Sequence, residues 1–169
     1  MAISKIGGSG SDNWELISSV TPTAASAAVN FTGLSPYRKL LLIWDETTLG
    51  SSGSVSARLN NDSSANYFYT SVDYASATTT YINSLISFGT EIGFSTSGTN
   101  PQGLVEFGNC DTTGLKSIVN GANSGTSSGT AVKNQFYGYY KGSAVVTQVN
   151  LITSVTFNAA GTVYLYGVK

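Results

Sequence analysis

Val149–Lys169, VNLITSVTFNAAGTVYLYGVK, is the stretch whose reading decides the fold. Val149, Leu151, Val155 and Phe157 fall on one side of an alternating run, and Val163 and Leu165 repeat the pattern after Asn158-Ala159-Ala160-Gly161. Apolar residues at every second position mark a strand with one buried face, and the Asn-to-Gly tract marks a turn. The stretch reads as a closing hairpin of two short strands. Its only charged residue is Lys169. So apolar a segment at a sheet edge would recruit other chains, so the last strand is expected to pair inside a sheet and complete the fold there.

The same pattern recurs upstream. Trp14, Leu16 and Val20 alternate with Glu15 and Ser19, and Ala28–Thr32 is a second short strand before the turn at Gly33-Leu34-Ser35-Pro36. Arg38–Asp45 carries Leu40-Leu41-Leu42-Ile43-Trp44, apolar on both faces, which predicts a strand whose outer face is also covered, within one subunit or at a contact between subunits. Val55, Ala57 and Leu59 alternate with Ser54, Ser56, Arg58 and Asn60, so one face there is wet. Asn60–Asn66 is a polar turn, because Asn and Asp bond their own backbone and tolerate left-handed geometry.

Further candidate strands are Tyr67–Tyr74, Tyr81–Phe88 after a Thr-rich loop at 76–80, Glu91–Phe94, Leu104–Phe107, Leu115–Val119 and Val132–Tyr140. Gly121–Gly129 reads as a long Ser/Gly connection between the last two. No window carries a sustained helical stripe, and no repeat of fixed period is present. Some ten short strands separated by Gly, Asn, Ser and Pro turns predict an all-β antiparallel sandwich or small barrel.

At 169 residues the chain fits one domain, placed at 14–169. Residues 1–13 form an N-terminal arm in which Gly7-Gly8-Ser9-Gly10-Ser11 follows Ile3 and Ile6. Either the arm frays, or it docks Ile3, Lys5 and Ile6 on a neighbouring subunit. The first six residues have no apolar core long enough for a signal peptide, so the protein is expected to stay in the compartment where it is made.

Charged residues make up 10% of the chain, against about 25% in ordinary domains, and the net charge is −1. Apart from Arg38-Lys39 the cations are scattered singly, which argues against nucleic acid and against an anionic membrane as partners. With no histidine, Ser-His-Asp and Cys-His chemistry is excluded, as is any zinc site that needs imidazole. Cys110, the only cysteine, reads as a half-buried structural residue and not a reactive thiol. The Asn60–Asn66 turn has one carboxylate, too few for a calcium loop. Asp45 and Glu46 are adjacent and point apart on a strand; only Glu91 with Glu106, or Glu106 with Asp111, could meet through tertiary folding as a glycosidase pair. No cofactor is expected.

Phe136-Tyr137-Gly138-Tyr139-Tyr140 is the best candidate for a ligand surface. Tyr rings on a sheet stack on sugars and pack equally well across strands, and packing is the favoured role. If a glycan is bound, Tyr137 and Tyr139 are the contacts, since they share the face opposite Phe136 and Tyr140.

Five segments in order carry a family likeness: Trp14-Glu15-Leu16-Ile17, Val29-Asn30-Phe31-Thr32-Gly33-Leu34, Tyr37-Arg38-Lys39-Leu40, Leu59-Asn60-Asn61-Asp62 with Asn66-Tyr67, and Gly161–Lys169. Together they resemble virion proteins of tailed bacteriophages, a group of jelly-roll or related β-sandwich domains that occur as capsid decoration proteins and as terminal domains of head and tail fibres. The resemblance implies a non-enzymatic structural or adhesive protein, often a homotrimer. It transfers no functional residue. A sheet protein with so few charges has little to guard its edges and apolar faces, which by a separate route points to partner subunits; Trp44 is the candidate contact on the apolar strand. A domain with a short arm fits a decoration, or cement, protein bound to the major capsid protein on the head better than a fibre. The alternative is a tail or fibre receptor-binding protein that contacts a host glycan.

Overall fold

The computed structural model describes residues 5–6, 13–74, 77–85, 88–89, 101–127 and 130–169. Among these residues there are strands and no helix: β1 (Lys5–Ile6), β2 (Trp14–Val20), β3 (Ala28–Thr32), β4 (Lys39–Asp45), β5 (Val55–Leu59), β6 (Tyr67–Asp73) and β7 (Thr78–Leu85), then β8 (Phe88–Gly89), β9 (Gln102–Gly108), β10 (Lys116–Ser127), β11 (Thr130–Tyr140), β12 (Gln148–Thr153) and β13 (Thr162–Val168). A long sheet of nine runs β1-β2-β13-β4-β9-β10-β11-β6-β7, and a short sheet of four runs β3-β12-β5-β8. Neighbouring strands pair antiparallel throughout both sheets.

Period-two patterning gives each sheet one apolar face, and the two apolar faces share a core. From the long sheet come Leu40, Leu42, Trp44, Val105, Phe107, Val163 and Leu165; from the short sheet Val29, Phe31, Val55, Ala57, Leu59, Val149 and Leu151, all buried in one cluster. The protein is an antiparallel β-sandwich, as expected. Its sheets are unequal, with nine strands in one and four in the other among the described residues.

The final strand lies inside a sheet as expected, with β2 on one side and β4 on the other. Its partner differs from the expectation. β12 and β13 do not form a hairpin; β12 lies between β3 and β5 in the short sheet, and the chain crosses to the long sheet between Thr153 and Thr162. The Val149–Phe157 alternation is correspondingly not one strand: it stops at Thr153, and Phe157 makes an isolated bridge to Leu49. The crossing is pinned by Ser154 N donating to Ser54 O, Gly50 N to Thr156 O and Asn158 N to Thr48 O. It closes at Gly161, φ +74°, where an added Cβ would stand 2.3 Å from the Glu46 carbonyl carbon, so only glycine fits against that turn.

A further expectation is corrected. Gly121–Ser127 is strand, not connection: β10 pairs with β9 and β11, and its ladder to β11 runs out to Ser127 opposite Thr130. Small residues there leave room for large neighbours, as at Gly121, where an added Cβ would lie 2.4 Å from the Phe136 ring. Within the chain β4 is buried on one face: Leu40, Leu42 and Trp44 point into the core, while Leu41 and Ile43 stay half-exposed on the outer face. In the arm, Lys5 and Ile6 pair with Glu15 and Trp14 of their own chain as an edge strand. Ile3 and the Glu91–Phe94 segment lie outside the described residues.

The Asn60–Asn66 turn behaves as its composition demands. Asn60 and Asn61 both have φ 52°. Asn60 Oδ1 accepts from Thr147 N at 2.8 Å and Gln148 N at 3.2 Å, and its Nδ2 donates to Val145 O at 3.0 Å, so the turn fastens the segment that leads into β12.

Candidate functional site

The two sheets present different outer faces. On the short sheet the outward positions include Asn30, Thr32, Ser56, Arg58, Gln148 and Asn150, which are polar. On the long sheet they include many apolar and aromatic residues. One row of register partners runs Leu16, Tyr166, Leu41, Glu106 across four strands; the next runs Tyr164, Ile43, Leu104, Ala122, Gln135, Val72 across six. Tyr164 and Tyr166 stack with centroids 6.5 Å apart.

On β11 the alternation separates the aromatic run. Phe136 and Tyr140 are 3% exposed, whereas Tyr137 is 56% and Tyr139 39% exposed on the outer face. Tyr139 stacks on Phe68 of β6 with centroids 5.1 Å apart and planes 7° apart, and Lys141 Nζ lies 4.2 Å from the Phe68 centroid, so one ring of the pair is already engaged. Tyr137 has Thr70 as its β6 register partner, followed on β7 by Tyr81, 78% exposed.

Lys133 and Gln135 continue the same side of β11 and form one wall of an open groove of about 490 Å³. Its floor is the outward side of β10, where Ala122 and Ser124 carry small side chains. Ile43, Asp45, Gln102 and Leu104 of β4 and β9 form the opposite wall. Tyr74, 59% exposed, closes the β11 side; its hydroxyl donates to Gln135 Oε1 at 2.6 Å and its N–H to Lys133 O at 2.9 Å. The groove therefore has one wall that mixes apolar side chains with a carboxylate and an amide, and another with an aromatic ring, an amide and an ammonium group.

Beneath the floor, on the inner side, Trp44, Gly103, Asn123 and Asn134 form a register row. The Trp44 indole lies over Gly103, where an added Cβ would meet Cζ2 at 2.3 Å. Trp44 Nε1 and both amide atoms of Asn123 are buried with no hydrogen-bond partner among the described residues. Trp44 is 2% exposed and packs the interior; on its strand Leu41 and Ile43 face outward.

Elsewhere the polar clusters are structural. Asp62 Oδ1 accepts from Ser64 N at 2.8 Å, and Oδ2 accepts from Asn66 Nδ2 at 2.8 Å and Tyr140 Oη at 2.7 Å. Burial alone would raise its pKa, but these hydrogen bonds win and hold the carboxyl well below the usual carboxylate range. Burial pushes the Tyr67 and Tyr140 hydroxyls up, so both stay protonated donors. Cys110 is fully buried, deeper than its half-buried expectation, and burial pushes its thiol up to about 12. Lys116 beside it donates from Nζ to Gly114 O at 2.5 Å, and burial lowers its pKa.

Glu106 faces outward opposite Leu41, while Glu91 lies outside the described residues. Among the described residues no group of three or more His, Cys, Asp or Glu is placed to hold a metal ion. The chain matches no protein-family model and no curated protein sequence. Tyr137 and Tyr139 could be assigned to one face from their spacing, and so could Gln135 and Lys133. Asp45, Tyr74, Ala122 and Ser124 join them only through the order and register of five strands, for which one sequence carries no signal.

Proposed function

We propose that the protein is a non-catalytic virion protein of a tailed bacteriophage, a capsid decoration protein that seats the outer face of its long sheet on the assembled head and acts as a homo-oligomer, with a trimer as the form to test. The observation that carries this is the asymmetry of the sandwich: Leu16, Leu41, Ile43, Leu104 and Tyr164 remain half-exposed on the long sheet, while the outward positions of the short sheet are mostly polar. Apolar side chains in that setting gain about 25 cal/mol per Å² when a partner covers them. Binding only the assembled shell would stabilise it by linkage. Purified protein should bind expanded capsids and raise their resistance to heat and chelation. Failure to bind, or particles lacking the protein that are as robust as intact ones, would refute it.

A second reading rests on a different observation, the outward rings of Tyr81, Tyr137 and Tyr139 on the same face as a groove lined by both apolar and polar side chains. In it the protein is a tail or fibre component that contacts a host glycan. A glycan array with a cell-binding assay separates the two, since decoration requires no sugar selectivity.

A further inference from the structure

We infer that the groove along β10 is a binding site for neutral oligosaccharides. The inference rests on the adhesive reading and places its site in the groove, on the same side of β11 as Tyr137 and Tyr139. About 490 Å³ lies within the 300–1,000 Å³ usual for ligand sites. The small floor residues Ala122 and Ser124 let a flat, rigid ring approach the sheet.

The walls supply what a pyranose needs on its two kinds of surface. The exposed Tyr74 ring offers an aromatic face for the C–H side, and its position is held by the hydrogen bond to Gln135. Because Gln135 Oε1 accepts that bond, the NH₂ of Gln135 is left as the donor end for sugar oxygens. Asp45 contributes an acceptor for hydroxyl protons and Lys133 a donor. One carboxylate and one ammonium leave the groove without net charge, which favours a neutral ligand over a sulfated or sialylated one. A peptide strand fits less well: β10 is paired on both sides, by β9 and β11, so the floor offers no free edge for strand addition.

The test is titration of the full chain with maltotriose, cellotriose, chitotriose and lactose, with sialyllactose as the charged control, read by amide chemical shifts and calorimetry. Saturable binding of at least one neutral sugar is expected, with shifts centred on Ala122 and Ser124 and sialyllactose at least tenfold weaker. Ala122→Phe, which fills the groove from a half-buried outward position, should weaken binding at least tenfold with the melting temperature unchanged; Tyr74→Ala should do the same as an independent variant. No saturable binding of any neutral sugar, or binding that both variants leave intact, would overturn the site. Neutral sugars that bind the groove while the virion ignores host glycans would leave the site standing and remove the adhesive reading. Host glycan attachment that survives Ala122→Phe would do the reverse.

Discussion

Replacing Asp62 tests how the Asn60–Asn66 turn holds the sandwich together. Its carboxylate accepts hydrogen bonds from Ser64 N, Asn66 Nδ2 and Tyr140 Oη, and its own carbonyl lies 3.0 Å from Tyr67 Oη. Hydrogen bonds to a charged acceptor contribute about 1.5–3 kcal/mol each, and a buried hydroxyl left without a partner costs about 1–3 kcal/mol. Tyr140 is 3% exposed and its bond to Asp62 part-buried, so Asp62→Ala leaves its hydroxyl shielded without that acceptor, whereas Ser64 is exposed and recovers water. The net loss is about 3 kcal/mol, or roughly 6–12 °C in melting temperature for a domain of this size. Tyr140→Phe removes only the donor and should cost about 1 kcal/mol, and the double variant should cost less than the sum, because the two groups share one bond. The sign of the pH dependence follows from the depressed carboxyl: its contribution is complete above the unfolded-state value of about 3.9 and is lost as pH falls below that toward the folded value. Denaturant melts followed by tryptophan fluorescence at pH 7 and pH 3 should therefore show the gap between wild type and Asp62→Ala narrowing at pH 3. A gap under 0.5 kcal/mol at pH 7, or one that widens with acid, would refute the reasoning.

Three other outcomes are expected. Leu165→Ala, at a fully buried position of the closing strand, should cost about 3–5 kcal/mol in denaturant melts, while Ile43→Ala on the outer face should cost about 1 kcal/mol or less. Gly138→Ala should be strongly destabilising, by about 2–4 kcal/mol in the same assay, because the added Cβ would stand 2.1 Å from the Phe68 carbonyl oxygen on the neighbouring strand. Cys110, buried and with its thiol pushed up to about 12, should resist iodoacetamide at pH 8 in the native protein and react at once in 6 M guanidinium, measured by intact mass.

Side-chain period reports sidedness well and partners poorly, and the protein divides along that line. β2, β3 and β5 end where the alternation places them, and Tyr137 and Tyr139 face away from Phe136 and Tyr140. Alternation says nothing of which sheet a strand joins, so β12 and β13, adjacent in sequence and alike in pattern, read as a hairpin although the crossing between them spans the sandwich. Gly121–Ser127 was illegible for another reason. Its composition is that of a loop, but small residues also suit a strand that lies under Phe136 on one face and floors a groove on the other. The apolar run Leu40–Trp44 signalled two covered faces; one is covered by the core, and the other is the face on which the proposed function depends.

That function is tested most directly by imaging the virion at a resolution that resolves sheets. The account predicts density for the protein at repeated lattice positions on the head, with the outer face of the nine-stranded sheet against the shell. Its absence from the particle, or a head-bound position with that face turned to solvent and the polar short sheet against the capsid, would contradict it.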